Sequence, residues 1–371
     1  MKRFFMFLIL ILFIVGWAYP QHNQATVEQS SNNNFALIKQ VGNALVTTVT
    51  QTGDGNIVGT VGQAAAEGVL QTGANNTASI TQFGNGNQVS QYRSDKNVYA
   101  GLLQNGAGNE ATIIQVGDEN KVGLNIYAYH AGIEQIGDNN IAAITQQNGD
   151  ENHVRELFQS GVSNQATILQ DGSENYVARL HQTGNLNTST VAQFGDDNEI
   201  EVSINGALNN SSAEQGTDLA RSSDNEATQW INGTSNTVTL TQLGGGHNDA
   251  FQWLPSTYNG AENILALTQD GQDNEATQKV GGDFNAATTT QTGGYNCALT
   301  ITYGNHNGTT DVDGDLMVDP VTIAQTGDYH YASIWQDGDL NGVIITQTGD
   351  HHSAEVTQTG NNNKCIVTQS N

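Results

Sequence analysis

Hydrophobic and polar residues alternate along most of the chain with a period of two. Residues 76–82 show the pattern, since Asn76, Ala78, Ile80 and Gln82 occupy every second position. Successive side chains of a strand point to opposite faces, so the alternation predicts strands with one inward row of side chains. About seven such residues are followed by about four that contain a glycine, and glycine favours a turn.

The alternation belongs to a repeat. The pattern Gln-x-Gly-x-x-Asn occurs fifteen times, mostly 11, 12, 20 or 22 residues apart. Two further copies begin at Gln325 and Gln347 and have His330 and His352 in place of the Asn. The fifteen copies begin at Gln51, Gln71, Gln82, Gln104, Gln115, Gln135, Gln147, Gln159, Gln170, Gln182, Gln193, Gln269, Gln291, Gln336 and Gln358.

An 11-residue strand-and-turn unit, used in pairs, predicts a coil of about 22 residues with two strands and two turns. We therefore predict an all-β fold, a β-solenoid of about 15 two-stranded coils that resembles amyloid in its strand stacking. Helix is not expected, because glycine disfavours helix and the branched residues favour strands. In some units the last two inward residues are exchanged, as in Gln229-x-Ile231 and Gln278-x-Val280.

The inward amides suggest how coils and molecules join. A buried amide without a partner is costly, whereas identical amides in stacked coils donate to one neighbour and accept from the other. The same stacking extended past either end of the rod would add further molecules. We predict a self-assembly ladder formed by Gln51, Gln71, Asn76, Gln82, Gln104, Asn109, Gln115, Asn140, Asn164, Gln170, Asn187, Gln193, Asn341, Gln347, Gln358, Asn363 and Gln369. The predicted turn glycines are Gly73, Gly84, Gly106, Gly117, Gly172, Gly184, Gly195, Gly338, Gly349 and Gly360.

The first residues have the features of a targeting signal. Lys2 and Arg3 precede an apolar run from Phe4 to Val15, and a small residue, Ala18, follows. This order is typical of a secretory signal peptide. We expect residues 1–18 to be the signal and residues 19–371 to form the solenoid of an exported protein.

Composition narrows the function. The 37 Asp and Glu outnumber the 11 Lys and Arg, which gives a net charge of -26. Contacts with phosphates need clustered basic residues, so no nucleic-acid partner is expected. The two cysteines, Cys297 and Cys365, are too few for a disulfide scaffold, and no cofactor or catalytic residue is predicted.

The repeat resembles that of the curlin-repeat family, the major subunits of curli, as Gln71-x-Gly73-x-x-Asn76-x-Ala78-x-x-x-Gln82 shows. The resemblance covers nearly the whole chain after the signal. It implies a secreted functional amyloid of a bacterium, whose extracellular, fimbrium-like fibres support biofilm matrix and adhesion. It also implies partners: further copies of the chain, a nucleator subunit and a curli-type outer-membrane secretion channel.

Three segments interrupt the repeat and are expected to be insertions on one edge of the rod: residues 216–224, 255–262 and 308–317. The third contains Asp311, Asp313 and Asp315, and alternating carboxylates are ligands suited to Ca²⁺, although the segment departs from the EF-hand pattern. A solvated acidic loop is the alternative. His330 and His352 are one coil apart and are expected to stack as substitutes for Asn in the ladder.

Two other functions are compatible with a solenoid. Thr precedes Gln in many units, so a flat Thr array could bind a surface or ice; these residues are Thr50, Thr81, Thr241, Thr290, Thr346, Thr357 and Thr368. A β-helical enzyme that acts on polysaccharides would need clustered carboxylates on long loops. We expect uniformly short turns and dispersed carboxylates, and both disfavour an enzyme.

Overall fold

The structure is a computed structural model that describes residues 22–59, 67–90, 100–123, 132–257, 260–308 and 321–371. The predicted signal peptide and the Asp311–Asp315 loop lie outside these residues. The described chain contains these strands: β1 Gln24–Ser30, β2 Phe35–Ala36, β3 Ile38–Asn43, β4 Val46–Thr52, β5 Ile57–Val58, β6 Glu67–Ala74, β7 Thr77–Phe83, β8 Gln88–Ser90, β9 Ala100–Ala107, β10 Glu110–Val116, β11 Lys121–Gly123, β12 Ile133–Asp138, β13 Ile141–Gln147, β14 His153–Val154, β15 Leu157–Val162, β16 Gln165–Asp171, β17 Tyr176–Asn185, β18 Thr188–Asp196, β19 Glu199–Ala207, β20 Asn210–Gln215, β21 Ser222–Ser223, β22 Glu226–Thr234, β23 Thr237–Leu243, β24 Asp249–Leu254, β25 Ile264–Gln272, β26 Glu275–Gly281, β27 Ala286–Gly294, β28 Cys297–Tyr303, β29 Val321–Asp328, β30 Tyr331–Asp337, β31 Gly342–Asp350, β32 Ser353–Thr359 and β33 Lys364–Ser370.

The strands form two long parallel sheets. Sheet A pairs β1, β4, β7, β10, β13, β16, β18, β20, β23, β25, β27, β29, β31 and β33 in that order, and β21 pairs with the end of β18. Sheet B contains the strands that alternate with them along the chain, from β2 and β3 to β32. The chain therefore winds from one sheet to the other in successive coils, and the predicted all-β solenoid is confirmed.

Sheet A has fourteen successive strands, close to the expected number of coils. At about 4.8 Å per level, these strands make a rod roughly 60 Å long. The number is slightly lower than expected because coils differ in length. Equivalent Gln residues of sheet A are 22 residues apart at both ends of the rod, but 31 to 33 apart between Gln51 and Gln146 and 34 apart between Gln291 and Gln325.

The expectation of uniformly short turns is wrong for the early coils. There each level of sheet B consists of two short strands; β5 ends at Val58, for example, and β6 begins only at Glu67. The interval shrinks to Arg155 and Glu156 between β14 and β15, and to a one-residue bulge at Ala178 in β17. The inward columns continue through the strands on both sides of these intervals, so the stack tolerates intervals of different length.

The core is a narrow layer between the two sheets. The in-register pairing places Ala78, Ala111 and Ala142 in one inward column of sheet A and Ile80, Ile113 and Ile144 in the next. All six side chains are buried. Sheet B contributes matching columns of Val, Leu and Ile. Because the apolar layer holds only two residues per strand, the amides at the strand ends are part of the core as well.

Candidate functional site

An uninterrupted ladder of glutamines runs along sheet A. Each strand of the sheet contributes one inward Gln, and its Nε2 donates to the Oε1 of the Gln in the next coil at 2.6–3.1 Å. The ladder therefore connects the first described coil to the last. Its members are Gln29, Gln51, Gln82, Gln115, Gln146, Gln170, Gln193, Gln215, Gln242, Gln269, Gln291, Gln325, Gln347 and Gln369.

Gln193 shows how completely one amide is satisfied. Its Oε1 accepts from Gln170 at 3.0 Å, and its Nε2 donates to Gln215 Oε1 at 3.1 Å. The same Nε2 also lies 2.7 Å from the backbone oxygen of Asn198 and 3.2 Å from that of Tyr176. The side chain is fully buried. The amide thus links adjacent coils and also joins sheet A to sheet B.

The glutamine ladder of sheet B is divided into three blocks. The blocks are Gln40–Gln71–Gln104–Gln135–Gln159–Gln182, Gln229–Gln252–Gln278 and Gln336–Gln358. The middle block occupies the neighbouring inward column, since Gln229 pairs with Val202 of the preceding coil. The units with exchanged residues are therefore consecutive in space, so the amides still stack on one another.

Hydroxyl groups satisfy the glutamines at several block ends. Ser211 Oγ donates to Gln229 Oε1 at 2.6 Å, and Gln278 Nε2 donates to Thr289 Oγ1 at 3.0 Å. Thr302 Oγ1 lies 3.1 Å from Gln336 Oε1. These hydroxyls supply the acceptor or donor that a missing glutamine would have provided.

The asparagines form a different kind of ladder. The backbone N–H of Asn187 donates to Asn164 Oδ1 of the preceding coil at 3.1 Å, and its Nδ2 donates to the Gly206 carbonyl of the next coil at 2.9 Å. Each Asn thus joins three coils through backbone groups. The column starts at Asn23, is interrupted by the buried Leu45, and includes all seven asparagines of the predicted ladder.

His330 and His352 occupy Asn positions in the equivalent column that precedes sheet B. Their rings stack with centroids 5.3 Å apart and planes 3° apart. The backbone N–H of His330 donates to Asn296 Oδ1 at 3.0 Å, and that of His352 donates to His330 Nδ1 at 3.2 Å. An imidazole nitrogen therefore replaces the amide oxygen as acceptor, which matches the expected substitution.

The turn glycines adopt a conformation that other residues disfavour. Gly184 has a φ of 114°, and a Cβ at this position would overlap the carbonyl oxygen of Gly206 in the next coil. The ten predicted turn glycines all have φ between 93° and 136°. Most of them face a glycine backbone in the next coil, so the glycines permit close stacking of the turns.

Residues after these glycines form a further ladder that sequence reasoning missed. The backbone N–H of Asn85 donates to Asp118 Oδ1 at 2.6 Å, and that of Asp118 donates to Asp150 Oδ1 at 2.7 Å. Asp328 and Asp350 repeat this contact at 3.3 Å. The available signal was the frequency of Asp, Asn and Ser directly after the turn glycine, since these side chains readily accept backbone hydrogen bonds.

The structure places the predicted ladder residues in several columns. Seven of the predicted glutamines belong to the sheet A ladder, whereas Gln71, Gln104 and Gln358 belong to sheet B. Gln147, which begins one copy of the sequence motif, is not a ladder residue. Gln146 takes the inward position, and Gln147 instead donates to Asp171 Oδ2 at 2.9 Å because this turn contains one extra residue.

The first insertion, residues 216–224, is held against the rod. Arg221 contacts both the backbone oxygen of Asp171, at 2.8 Å, and its carboxylate, at 2.5 Å. Burial raises the pKa of Asp171, but hydrogen bonds from Gln147, Arg221 and Asn148 outweigh this effect and hold the pKa below its usual value.

The second insertion is described except for residues 258–259. In the described ranges, no three His, Cys, Asp or Glu residues are grouped as metal ligands, and no helix could cross a membrane.

The outer face of sheet B carries a column of carboxylates. Glu199, Glu226, Asp249 and Glu275 are in register in four successive strands. Partial burial raises the pKa of Glu199 and of Asp249, and the neighbouring carboxylates raise them further. This column therefore concentrates part of the chain's negative charge in the middle of the rod.

The ladders coincide with matches to a known repeat. The family model described as the curlin associated repeat matches residues 22–53, 178–203, 321–349 and 341–370, which include both ends of the described solenoid and its middle. No curated protein matches the chain. The matched stretches contain members of the glutamine and asparagine columns and their turn glycines. The chain thus carries curlin associated repeats in these four stretches, and its strand-and-turn units are similar to those of curli-like structural proteins.

Proposed function

We propose that the protein is an exported fibre subunit that adds end to end to further copies of itself, and that the fibres serve biofilm matrix and adhesion. The observation that supports this is the sheet A glutamine ladder, which reaches both end strands in the same phase. β1 pairs only with β4, and β33 only with β31, among the residues that the structure describes. Each end strand therefore has an edge on which a further strand can pair.

The two ends are complementary in hydrogen bonding. Along the ladder each Gln donates through Nε2 toward the β33 end, as Gln347 does to Gln369 at 2.8 Å. Gln369 thus carries a donor for a further coil, and Gln29 of an incoming copy carries the acceptor. The same register would place Val367 over Val27 and, on sheet B, Gln358 over Gln40. Stacking in this register continues the amide columns of both sheets.

Stacking would also bury apolar surface that one molecule leaves open. The side chain of Val27 in β1 is 45% exposed, although its equivalents Val49 and Ile80 in the following coils are fully buried. Because about half of this side chain is already covered, burying the rest contributes about 1 kcal/mol. The end coils are therefore incomplete parts of the core, and a second copy of the chain has the matching shape.

Export and its partners complete the proposal. Residues 1–18 would be removed as a signal peptide, and residues 19–371, with the three insertions, would form the secreted subunit. By family likeness the partners are a nucleator subunit and a curli-type outer-membrane secretion channel. Calcium at the Asp311–Asp315 loop stays a prediction outside the described residues.

The decisive experiment changes one end. In Val27→Lys a charge replaces an inward side chain of the exposed strand β1, so the monomer should fold but no copy should add to that end. Thr26→Lys, on the outward face of the same strand, is the matched control and should grow normally. Growth is followed by thioflavin fluorescence and electron microscopy, and fibres should diffract at 4.7–4.8 Å.

Two outcomes would contradict the proposal. One is wild-type protein that stays monomeric under conditions in which its solenoid is folded. The other is Val27→Lys protein that elongates seeds at both ends as fast as Thr26→Lys does. The expected result is that Val27→Lys protein adds once, through its unchanged β33 end, to the β1 end of a growing fibre. Its own β1 end, which carries the lysine, then accepts no further copy.

A Thr array remains the basis of the alternative, surface or ice binding. Most of the predicted Thr residues share one outward column of sheet A, in which Thr50 pairs with Thr81 and Thr346 with Thr368. Thr357 lies instead on sheet B. Ile114 and Leu169 interrupt the column. Thermal hysteresis of the purified protein would favour ice binding, and its absence would leave adhesion by fibres.

A further inference from the structure

Three aromatic residues stack on one exposed edge of the rod. Tyr295, Tyr329 and His351 each occupy the left-handed turn position that precedes a ladder residue, with φ of 57°, 60° and 62°. The rings of Tyr295 and Tyr329 are 4.8 Å apart with planes 3° apart, and those of Tyr329 and His351 are 5.0 Å apart. Both tyrosines are about half exposed, at 46% and 52%. The backbone of two adjacent coils thus holds two phenols face to face in solvent.

The hydroxyl of Tyr295 has a base beside it. Asp273 occupies the same turn position one coil earlier, and its negative charge is the main cause that raises the pKa of Tyr295. The phenol therefore keeps its proton at neutral pH, while a carboxylate is placed to receive that proton if the ring loses an electron. Removing an electron from a phenol is easier when the proton can leave at the same time.

The ring of Tyr295 is also accessible to small molecules. Gly245, Gly271, Gly293 and Gly294 line a groove of about 250 Å³ that opens beside it. Because glycines have no side chains, the turns of three coils leave this space free. A small oxidant can reach the phenol there without disturbing the ladders.

We propose that Tyr295 and Tyr329 are a site of oxidative cross-linking, at which a haem peroxidase with hydrogen peroxide joins the two phenols as dityrosine. Each phenol loses one electron and one proton, and the proton of Tyr295 passes to Asp273. The two ring carbons next to the hydroxyl-bearing carbons then form one C–C bond, and the hydrogen on each of these carbons moves to its oxygen to restore the aromatic ring. One hydrogen peroxide takes up the two electrons and two protons and becomes two waters.

The bond would close the longest coil of the solenoid. Equivalent residues of this coil are 34 residues apart, as Gln291 and Gln325 show. A covalent link between neighbouring coils restricts the unfolded chain in the same way as a disulfide. The cross-link would therefore stabilise the coil in which the chain departs farthest from the 22-residue repeat.

Two other described tyrosines face non-aromatic residues in the next coil. In the strand register Tyr176 pairs with Glu199, and Tyr331 with Ser353. Tyr295 and Tyr329 instead stack ring on ring in adjacent coils. The proposed reaction should therefore select this pair.

The test treats the folded full chain with a haem peroxidase and hydrogen peroxide. Peptide mass spectrometry should find residues 295 and 329 joined with loss of two hydrogens, together with the blue fluorescence of dityrosine. Tyr295→Phe and Tyr329→Phe should each abolish this product, and Tyr331→Phe, the matched control, should leave its yield unchanged. Phe is compatible with the turn, since Phe284 has the same φ of 57° and stacks on His306.

Asp273→Asn tests the role of the carboxylate. It keeps the shape of the turn but removes the base, so the cross-link should form several-fold more slowly while Tyr331→Phe protein reacts at the normal rate. The proposal is overturned if the folded chain yields dityrosine spread over other tyrosines, or if the 295–329 product forms equally well in chain unfolded by guanidinium. Because both rings belong to one molecule, the result does not depend on fibre formation.

Discussion

Replacing Gln193 with Leu tests whether the ladder amides stabilise the solenoid. Leu has a similar size, so the change removes hydrogen bonds with little change of packing. It leaves Gln215 Oε1 without its ladder donor and removes the donor that Asn198 O and Tyr176 O share. Gln170 loses less, because its Nε2 still donates to Asn175 O at 2.8 Å.

The magnitude follows from these contacts. A buried polar atom that loses its partner costs about 1–3 kcal/mol, and one side-chain oxygen and parts of two backbone acceptors are affected. We expect the local free energy of unfolding to fall by about 2–4 kcal/mol. In a repeat protein this loss is local, so it is measured by hydrogen exchange and not by one global transition. Amides of β16, β18 and β20 should exchange about 30- to 1000-fold faster.

Gln369→Leu is the matched control. Gln369 makes the same ladder contact with Gln347, but it lies in the exposed last strand, where water can replace a lost partner. Exchange in the adjacent strand β31 should change less than about 3-fold. If Gln193→Leu also changed exchange by less than about 3-fold while the fold stayed intact, the ladder would not be a main source of stability.

Two further predictions concern turns and charge. Gly184→Ala should lower the local free energy of unfolding by about 3 kcal/mol or more, because the added Cβ would overlap the next coil. Gly55→Ala, whose added Cβ has nothing within 4 Å, should lower it by only about 1–2 kcal/mol of backbone strain. Hydrogen exchange compares the two variants, and equal losses would contradict the stacking argument. Because folding raises the pKa of Glu199 and Asp249, the middle coils should lose stability as pH rises from the ordinary carboxyl pKa of about 4 through the raised values. The loss should be less than about 1 kcal/mol per carboxylate, since both groups are partly exposed. Glu226→Gln should flatten this pH dependence, and an unchanged pH profile would refute the prediction.

The sequence was sufficient to predict the repeating inward pattern. Residue types such as those of Ile80 and Gln82 recur at the same position of successive units, and this recurrence is expected when the units form strands that stack in register. The same logic identified the turn glycines, since a residue such as Gly184 must combine positive φ with close backbone contact. Local rules therefore determine the unit of this fold almost completely.

What the sequence could not supply was the register between distant units. Ladder neighbours are 22 residues apart in some coils and more than 30 apart in others. Gln29 contacts Gln51, for example, but Gln82 contacts Gln115. A constant repeat length therefore does not identify the neighbour of a given Gln. The exchanged units around Gln229 looked like isolated irregularities for the same reason. The stacked pair of Tyr295 and Tyr329 is equally invisible in the sequence, because 34 residues separate them.

The two sheets differ in what they keep constant. Sheet A preserves one glutamine column through every described coil, although coil length varies from 22 to 34 residues. Extra residues enter between the halves of sheet B levels or in turns such as residues 216–224, but residues 309–320 separate the first position of one sheet A level, Gly308, from the second, Val321. The glutamine column continues past this break as well. A continuous column is what end-to-end growth needs, because one missing amide would leave the next without a partner. Sheet B instead shifts its glutamines between columns and carries the Glu226 carboxylate column on its outer face. In the proposed fibre, growth by stacking would therefore depend mainly on sheet A, and sheet B would be the side on which the fibre surface varies.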